Sequence, residues 1–93
     1  MSGEFRMKPR KVRLFIKPFC GWCYEAQDWL DERRIQYDTL DVIADCRARR
    51  EMFELSEQTL APVIDVDGNI LADFDTDQLE EFWMKLQREN GEG

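Results

Sequence analysis

Apolar and polar positions alternate through the stretch KVRLFIK, where Val12, Leu14 and Ile16 are set against Arg13, Phe15 and Lys17. A period of two predicts a strand, which should end at Pro18. From Cys20 the period lengthens. Cys23, Ala26 and Leu30, with Trp22 and Trp29 seven apart, predict a helix running to about Arg34. IQYDTLDVI, residues 35–43, reads as a second strand. A helical crossover of about a dozen residues between two strands makes them parallel, with a right-handed connection.

Beyond it, Asp45 is placed to cap a second helix through Leu55, with Cys46, Met52, Phe53 and Leu55 as its apolar candidates. Cys46 reads as a packing residue at that helix start. LAPVIDVDGNILADF then predicts a hairpin, because Asp67-Gly68 suits a two-residue turn that needs positive φ. The third helix has explicit start signals. Asp75 is the N-cap, Gln78 stands three residues on, and Phe74 with Leu79 forms a hydrophobic staple. Leu79, Phe82, Trp83 and Leu86 then make an apolar stripe at i, i+3, i+4 and i+7, the signature of a core-facing helix.

The predicted order is βαβαββα, an α/β fold in three layers: a four-stranded mixed sheet flanked by helices. With 93 residues there is room for one core and, as a rule, one site. We divide the chain into a basic N-terminal segment 1–10, a domain 11–88 and a short tail 89–93. No repeat, linker or low-complexity tract interrupts it. No apolar run reaches the roughly 18 residues of a membrane span, and the first dozen residues lack a signal peptide's apolar middle. The expectation is a cytoplasmic monomer with no membrane association.

The formal charge of −7 is uneven. Residues 1–17 carry six Lys or Arg against one acid, leaving seven against nineteen in the remainder. An acidic body repels phosphate backbones, so nucleic acid is not an expected partner, and the basic run reads as a solvated approach to the first strand.

The chemistry concentrates in KPFCGWCYEA, residues 17–26. Cysteines in a reducing compartment do not form a structural framework, which favours a transient, catalytic disulfide. Zinc wants four ligands, and the chain has no histidine and one further thiol, Cys46. Burial of both cysteines as small apolar groups is the bland alternative. Their place at a strand-to-helix corner favours reactivity. At a helix start, free backbone N–H groups and the positive dipole end face the first sulfur and favour a thiolate. Cys23, one turn on, is within reach to attack a mixed disulfide formed at Cys20. Gly21 and Trp22 make the turn between them; glycine spares the bend a side chain, and Trp22 is expected half exposed as an apolar rim.

Cys20-Gly21-Trp22-Cys23 after a strand, Ala61-Pro62-Val63 some forty residues later and Asp67-Gly68 beyond resemble the glutaredoxin family of the thioredoxin fold, over residues 11–88. The resemblance implies a dithiol–disulfide oxidoreductase without a bound cofactor or metal, in which Cys20 is the nucleophile and Cys23 resolves. It implies a cis bond before Pro62, facing the cysteines, with the Ala61 backbone open to an extended substrate. It also implies contacts to glutathione or substrate from Lys17, Phe19, Arg49, Leu60, Ala61, Asp75 and Thr76. Lys17 and Arg49 would meet glutathione's glycine carboxylate, and Asp75 and Thr76 its γ-glutamyl end. Outside the resemblance, Lys17 is a solvated strand end, Arg49 a helix-surface charge and Asp75 simply a cap.

Two departures bear on the electron source. Leu60-Ala61-Pro62 stands where glutathione-using members carry Thr-Val-Pro, and Ala72-Asp73 replaces their Gly-Gly pair. Ala-Pro-Val and Phe74 are more similar to the glutaredoxin-like hydrogen donors of ribonucleotide reductase, which thioredoxin reductase reduces. Lys17 and Asp75 favour glutathione as donor. Disulfide-containing proteins or glutathione mixed disulfides are the expected substrates. The competing class is a thioredoxin-fold binding module, including one that holds an iron–sulfur cluster across a dimer.

Overall fold

The computed structural model describes residues 9–90 and has seven elements in the expected order: β1 (Val12–Ile16), α1 (Gly21–Glu32), β2 (Asp38–Asp41), α2 (Cys46–Ser56), β3 (Val63–Val66), β4 (Asn69–Ala72) and α3 (Thr76–Asn90). Most of the basic segment 1–10 and residues 91–93 of the tail lie outside the described residues. The sheet order is β2-β1-β3-β4. β1 runs parallel to β2 with Leu14 opposite Thr39, and antiparallel to β3 with Leu14 opposite Ile64. The hairpin closes with Ile64 opposite Leu71, and its turn residues Asp67 and Gly68 have φ of 51° and 93°. Positive φ at both positions is what a tight two-residue turn requires.

The period-two pattern divides β1 and β3 between two apolar layers. Val12, Leu14, Ile64 and Val66 face one side with Ala26, Trp29 and Leu30 of α1 and Leu79, Trp83 and Leu86 of α3. Phe15 and Val63 face the other, under Ala48 and Met52 of α2. Phe15 falls on the polar register of the sequence pattern yet is fully buried, because α2 covers that face too.

On that second face Arg13 ties three elements together. Its guanidinium donates to Asp65 on β3 (2.7 Å), pairs with Glu51 on α2 (2.7 Å) and lies 5.3 Å from the Phe15 ring centre. The Asp65 hydrogen bond, with Glu51 adding to it, raises the Arg13 pKa above its ordinary value. Asp65 also accepts the Gly68 amide at 2.7 Å, so one carboxylate serves both the clamp and the hairpin turn. Asp67 in turn accepts the amides of Arg10 and Lys11, fastening the chain's approach to β1 onto that turn.

Several boundaries differ from the sequence pattern, each for a local reason. α1 stops at Glu32 instead of Arg34: Arg34 is left-handed (φ 58°), its amide bonds to Asp31 and the Ile35 amide to Leu30, a Schellman-type wrap. That wrap consumes the start of the expected second strand, so β2 begins only at Asp38. β2 ends at Asp41 because that carboxylate accepts the amides of Ile43 and Ala44 and turns the chain. On α2 the buried pair is Ala48 and Met52, four apart, whereas Phe53 and Leu55 are exposed. Cys46 is exposed as well and does not pack. Asp45 caps α2 by accepting from Arg47 and Ala48. At α3 the expected capping box is formed, with the Gln78 amide donating to Asp75 Oδ1 (2.8 Å) and the Asp75 amide donating to Gln78 Oε1 (3.0 Å). Phe74 and Leu79 are buried together as its staple, and the helix continues two residues past the expected boundary at 88.

Removing the shared carboxylate should therefore cost more than an average surface change. Asp65→Ala leaves one branch of the Arg13 fork and the Gly68 amide without an acceptor, and is expected to destabilise the fold by about 2–3 kcal/mol in urea titration. A loss below about 0.5 kcal/mol would show the clamp to be dispensable.

Candidate functional site

The site is assembled where β1 hands over to α1. Pro18 stops the strand, since it supplies no amide to a ladder. Cys20 is the N-cap of α1, in extended backbone conformation (φ −116°, ψ 108°), and its Sγ accepts the Cys23 amide at 3.3 Å. A cap residue ordinarily offers an oxygen to these amides; here sulfur takes that place. The Tyr24 amide closes the first turn on the Cys20 carbonyl at 3.1 Å.

Cys20 is 7% exposed and Cys23 is fully buried; with Ala61 they form a small apolar cluster of their own, against which Ile16 packs. Burial first, then the hydrogen bond with Cys20, pushes the Cys23 thiol up to about 12, against a smaller opposing effect of the Lys17 backbone. A neutral thiol is therefore the resting form of Cys23. The Ala61–Pro62 peptide bond is cis, and Pro62 is fully buried. Its carbonyl accepts the Asp73 amide at 2.9 Å, while among the described residues no hydrogen bond engages the Ala61 backbone.

Cys20, Cys23 and Ala61 thus come together, and the bond that follows Ala61 is cis. Trp22 is 56% exposed, as expected for a rim, and Leu60 is exposed just before Ala61. The reading of Gly21 needs correction. It is the first residue of α1, and a Cβ there would meet nothing within 4 Å, so the bend does not require glycine. Phe19 is almost wholly exposed and left-handed, with φ 58°. Lys17 and Arg49 are exposed, and among the described residues neither forms a salt bridge. The Asp75 carboxylate is engaged in its cap, and Thr76 opens α3. Asp73, in the place of a glycine of the Gly-Gly pair, keeps φ at 53°, a conformation that aspartate tolerates better than most side chains.

Sequence reasoning missed Tyr24, whose hydroxyl accepts the Phe19 amide at 3.2 Å. Its signal was positional. Phe19 precedes the cap and Tyr24 is four residues beyond it, the two staple positions of a helix start.

A mixed four-stranded sheet in this order, with helices on both faces, a Cys-x-x-Cys pair opening α1 and a cis Ala61–Pro62 bond whose Ala61 packs with the two cysteines, defines a thioredoxin-like fold carrying a dithiol site. The family model for glutaredoxin matches residues 12–71. A curated relative, the uncharacterized glutaredoxin-like 8.6 kDa protein in the rubredoxin operon of Clostridium pasteurianum, is 32% identical over 69 residues, covering 74% of this chain and 92% of the relative. The chain belongs to the glutaredoxin family. Among solved structures, the thioredoxin-like protein BC3987 superimposes with a TM-score of 0.71 at 24% identity, over 76% of this chain and 97% of that one. The glutaredoxin-like NrdH-redoxin from Escherichia coli gives 0.65 at 14% identity, over 76% and 92%.

The two thiols should differ in chemical reactivity. Because the folded Cys23 value lies above that of an unfolded thiol, its proton is retained through the range where a free thiol, near about 8.5, ionises. The stabilisation that this gives the fold is fully present below about pH 8.5 and is lost as the pH climbs through the folded value. In timed alkylation at pH 8 read by peptide mass spectrometry, Cys23 should be the last of the three cysteines to react. Labelling of Cys23 as fast as the exposed Cys46 would contradict its burial.

Proposed function

We propose that the protein is a dithiol–disulfide oxidoreductase that reduces protein disulfides or glutathione mixed disulfides. The observation that carries this reading is the pairing of Cys20 Sγ, held against the open amides of a helix start, with a fully buried Cys23 one turn away.

The steps balance on those two sulfurs. Cys20, as thiolate, attacks one sulfur of the substrate disulfide; the substrate S–S bond breaks, a Cys20–substrate disulfide forms and the other sulfur leaves as a thiolate that takes up a proton. Cys23 then gives up its proton and attacks Cys20 Sγ. The second substrate sulfur leaves, again becoming a thiol, and a Cys20–Cys23 disulfide remains. The substrate has gained two electrons from the two protein sulfurs and two protons, one from Cys23 and one from solvent, which had taken the Cys20 proton when the thiolate formed. Keeping Cys23 neutral until this point leaves a single nucleophile for the first step. The departing substrate thiolate, or a water molecule, then accepts the Cys23 proton.

Two glutathione thiols would return the electrons. Lys17 and Arg49 support that source as exposed cations without salt-bridge partners among the described residues, suited to a carboxylate. The open Ala61 backbone suits strand-like pairing with an extended segment on either substrate. No organic cofactor or metal takes part in these steps.

Cys20→Ser should abolish disulfide reduction, whereas Cys23→Ser should stop after the first step and accumulate a mixed disulfide visible by mass. Equal loss in both variants with no trapped adduct would overturn the assigned roles. For the donor, the oxidised protein is offered glutathione, or thioredoxin reductase with NADPH. Faster reduction by glutathione is expected, with Lys17→Ala raising the glutathione requirement about fivefold in a salt-sensitive way. Reduction by the flavoprotein alone would move the assignment to that donor.

A further inference from the structure

The apolar rim beside Cys20 contains a feature that packing does not explain. At α3, the residue before the cap and the residue four beyond it, Phe74 and Leu79, close on each other and are buried. At α1 the equivalent positions are Phe19 and Tyr24, an aromatic pair well suited to the same closure. They do not close. Phe19 is 95% exposed and Tyr24 52%. The Tyr24 hydroxyl instead accepts the backbone amide of Phe19.

A single exposed apolar side chain is ordinary. Phe19 is not ordinary in its backbone, which sits at φ 58°, a region that bulky residues rarely enter without a constraint. The hydroxyl supplies a constraint from one side, and the Cys20 cap supplies it from the other. The ring is held in solvent one residue from the nucleophilic sulfur. Trp22, two residues beyond Cys20, and Leu60, next to Ala61 of the cysteine cluster, are exposed apolar side chains as well.

We propose that Tyr24 is a positioning residue for substrate choice: its hydroxyl keeps Phe19 turned outward, so that the ring meets a bulky apolar residue flanking the disulfide of a peptide or protein substrate. This deepens the dithiol reading and rests on it. The occupant follows from the geometry of exchange. A substrate sulfur has to come within bonding reach of Cys20, and neighbouring residues of an extended chain lie only about 3.3–3.8 Å per residue away. The residue beside the substrate cysteine therefore arrives at Phe19, Trp22 and Leu60. Glutathione, whose thiol is flanked by glycine and a γ-glutamyl group, offers nothing apolar there.

The test uses the full chain, reduced beforehand, in single turnovers with two disulfide peptides of equal length and charge. One carries leucine next to the reactive cysteine and the other glycine. The wild-type rate constant should favour the leucine peptide about five- to tenfold, as expected for burying one apolar side chain incompletely. Phe19→Ser should bring that ratio close to one. Tyr24→Phe retains the ring but loses the acceptor, which frees Phe19 to fold back as an ordinary staple; the ratio should drop at least about threefold. The double variant should match Phe19→Ser alone. A purely structural tyrosine would change both peptides equally and leave the ratio intact. A wild-type ratio near one, or an unaltered ratio in Tyr24→Phe, overturns the proposal while leaving the dithiol reading standing. Failure of the wild type to reduce either peptide overturns both.

Discussion

The first turn of α1 has amides that need acceptors, and the chain supplies a sulfur. That constraint links fold to chemistry. A thiol is a weak acceptor compared with the carboxylates of Asp45 and Asp75, which cap the other two helices. The Cys23 N–H···Sγ bond strengthens when the sulfur carries negative charge, because charge-assisted bonds are roughly twice as strong as neutral ones. On the proposed reading, helix α1 gains its stronger cap in the thiolate form of Cys20 that exchange uses. The remainder of the molecule holds this corner still. β1 is paired on both edges and covered on both faces, so the strand that delivers the cysteines has little freedom.

The acidic composition is handled by the same economy of contacts. Asp65, Asp67, Asp41 and Asp45 each accept two or more hydrogen bonds from backbone amides or Arg13. These carboxylates act as turn and cap acceptors, and only Asp65 among them is buried. Free cations are correspondingly conspicuous on such a surface. Lys17, at the end of β1, is the one nearest in sequence to the dithiol.

Element order, the parallel β1–β2 pair, the β3–β4 hairpin and the Asp75–Gln78 box were legible because they rest on local chemistry: period two, period 3.6, Asp-Gly, and cap spacing. The dithiol was legible because Cys-x-x-Cys at a strand-to-helix corner has few alternatives once histidine is absent. What the sequence hid were non-local choices. Phe15 and Arg13 occupy the same strand face, and only the placement of α2 decides that one is core and the other a clamp. Cys46, Phe53 and Leu55 fit an apolar stripe as well as Ala48 and Met52 do, yet a helix of eleven residues buries a single narrow face, here the Ala48–Met52 line. The end of α1 was misplaced because a left-handed Arg34 carries no composition signal; glycine would have announced it. Tyr24 was missed because a hydroxyl bonding to a backbone amide is invisible to hydrophobic patterning.

The asymmetry of the two thiols has a consequence for which redox state the fold prefers. In the dithiol form Cys20 accepts the Cys23 amide and Cys23 keeps its proton in an apolar pocket, so both sulfurs sit in the environments that suit them. On the proposed reading, a Cys20–Cys23 disulfide removes both the thiolate acceptor at the cap and the buried Cys23 thiol. Each loss falls on the oxidised form, and whatever stabilises a dithiol against its disulfide raises the reduction potential of the pair. On the proposed reading, the helix start then does more than activate a nucleophile. It favours the form that donates electrons, and it makes the oxidised protein easier for a thiol reductant to return to that form. The cost of that arrangement is a weaker drive to reduce very stable disulfides, which suits exposed or strained disulfides and mixed disulfides as substrates better than the buried disulfides of a folded core.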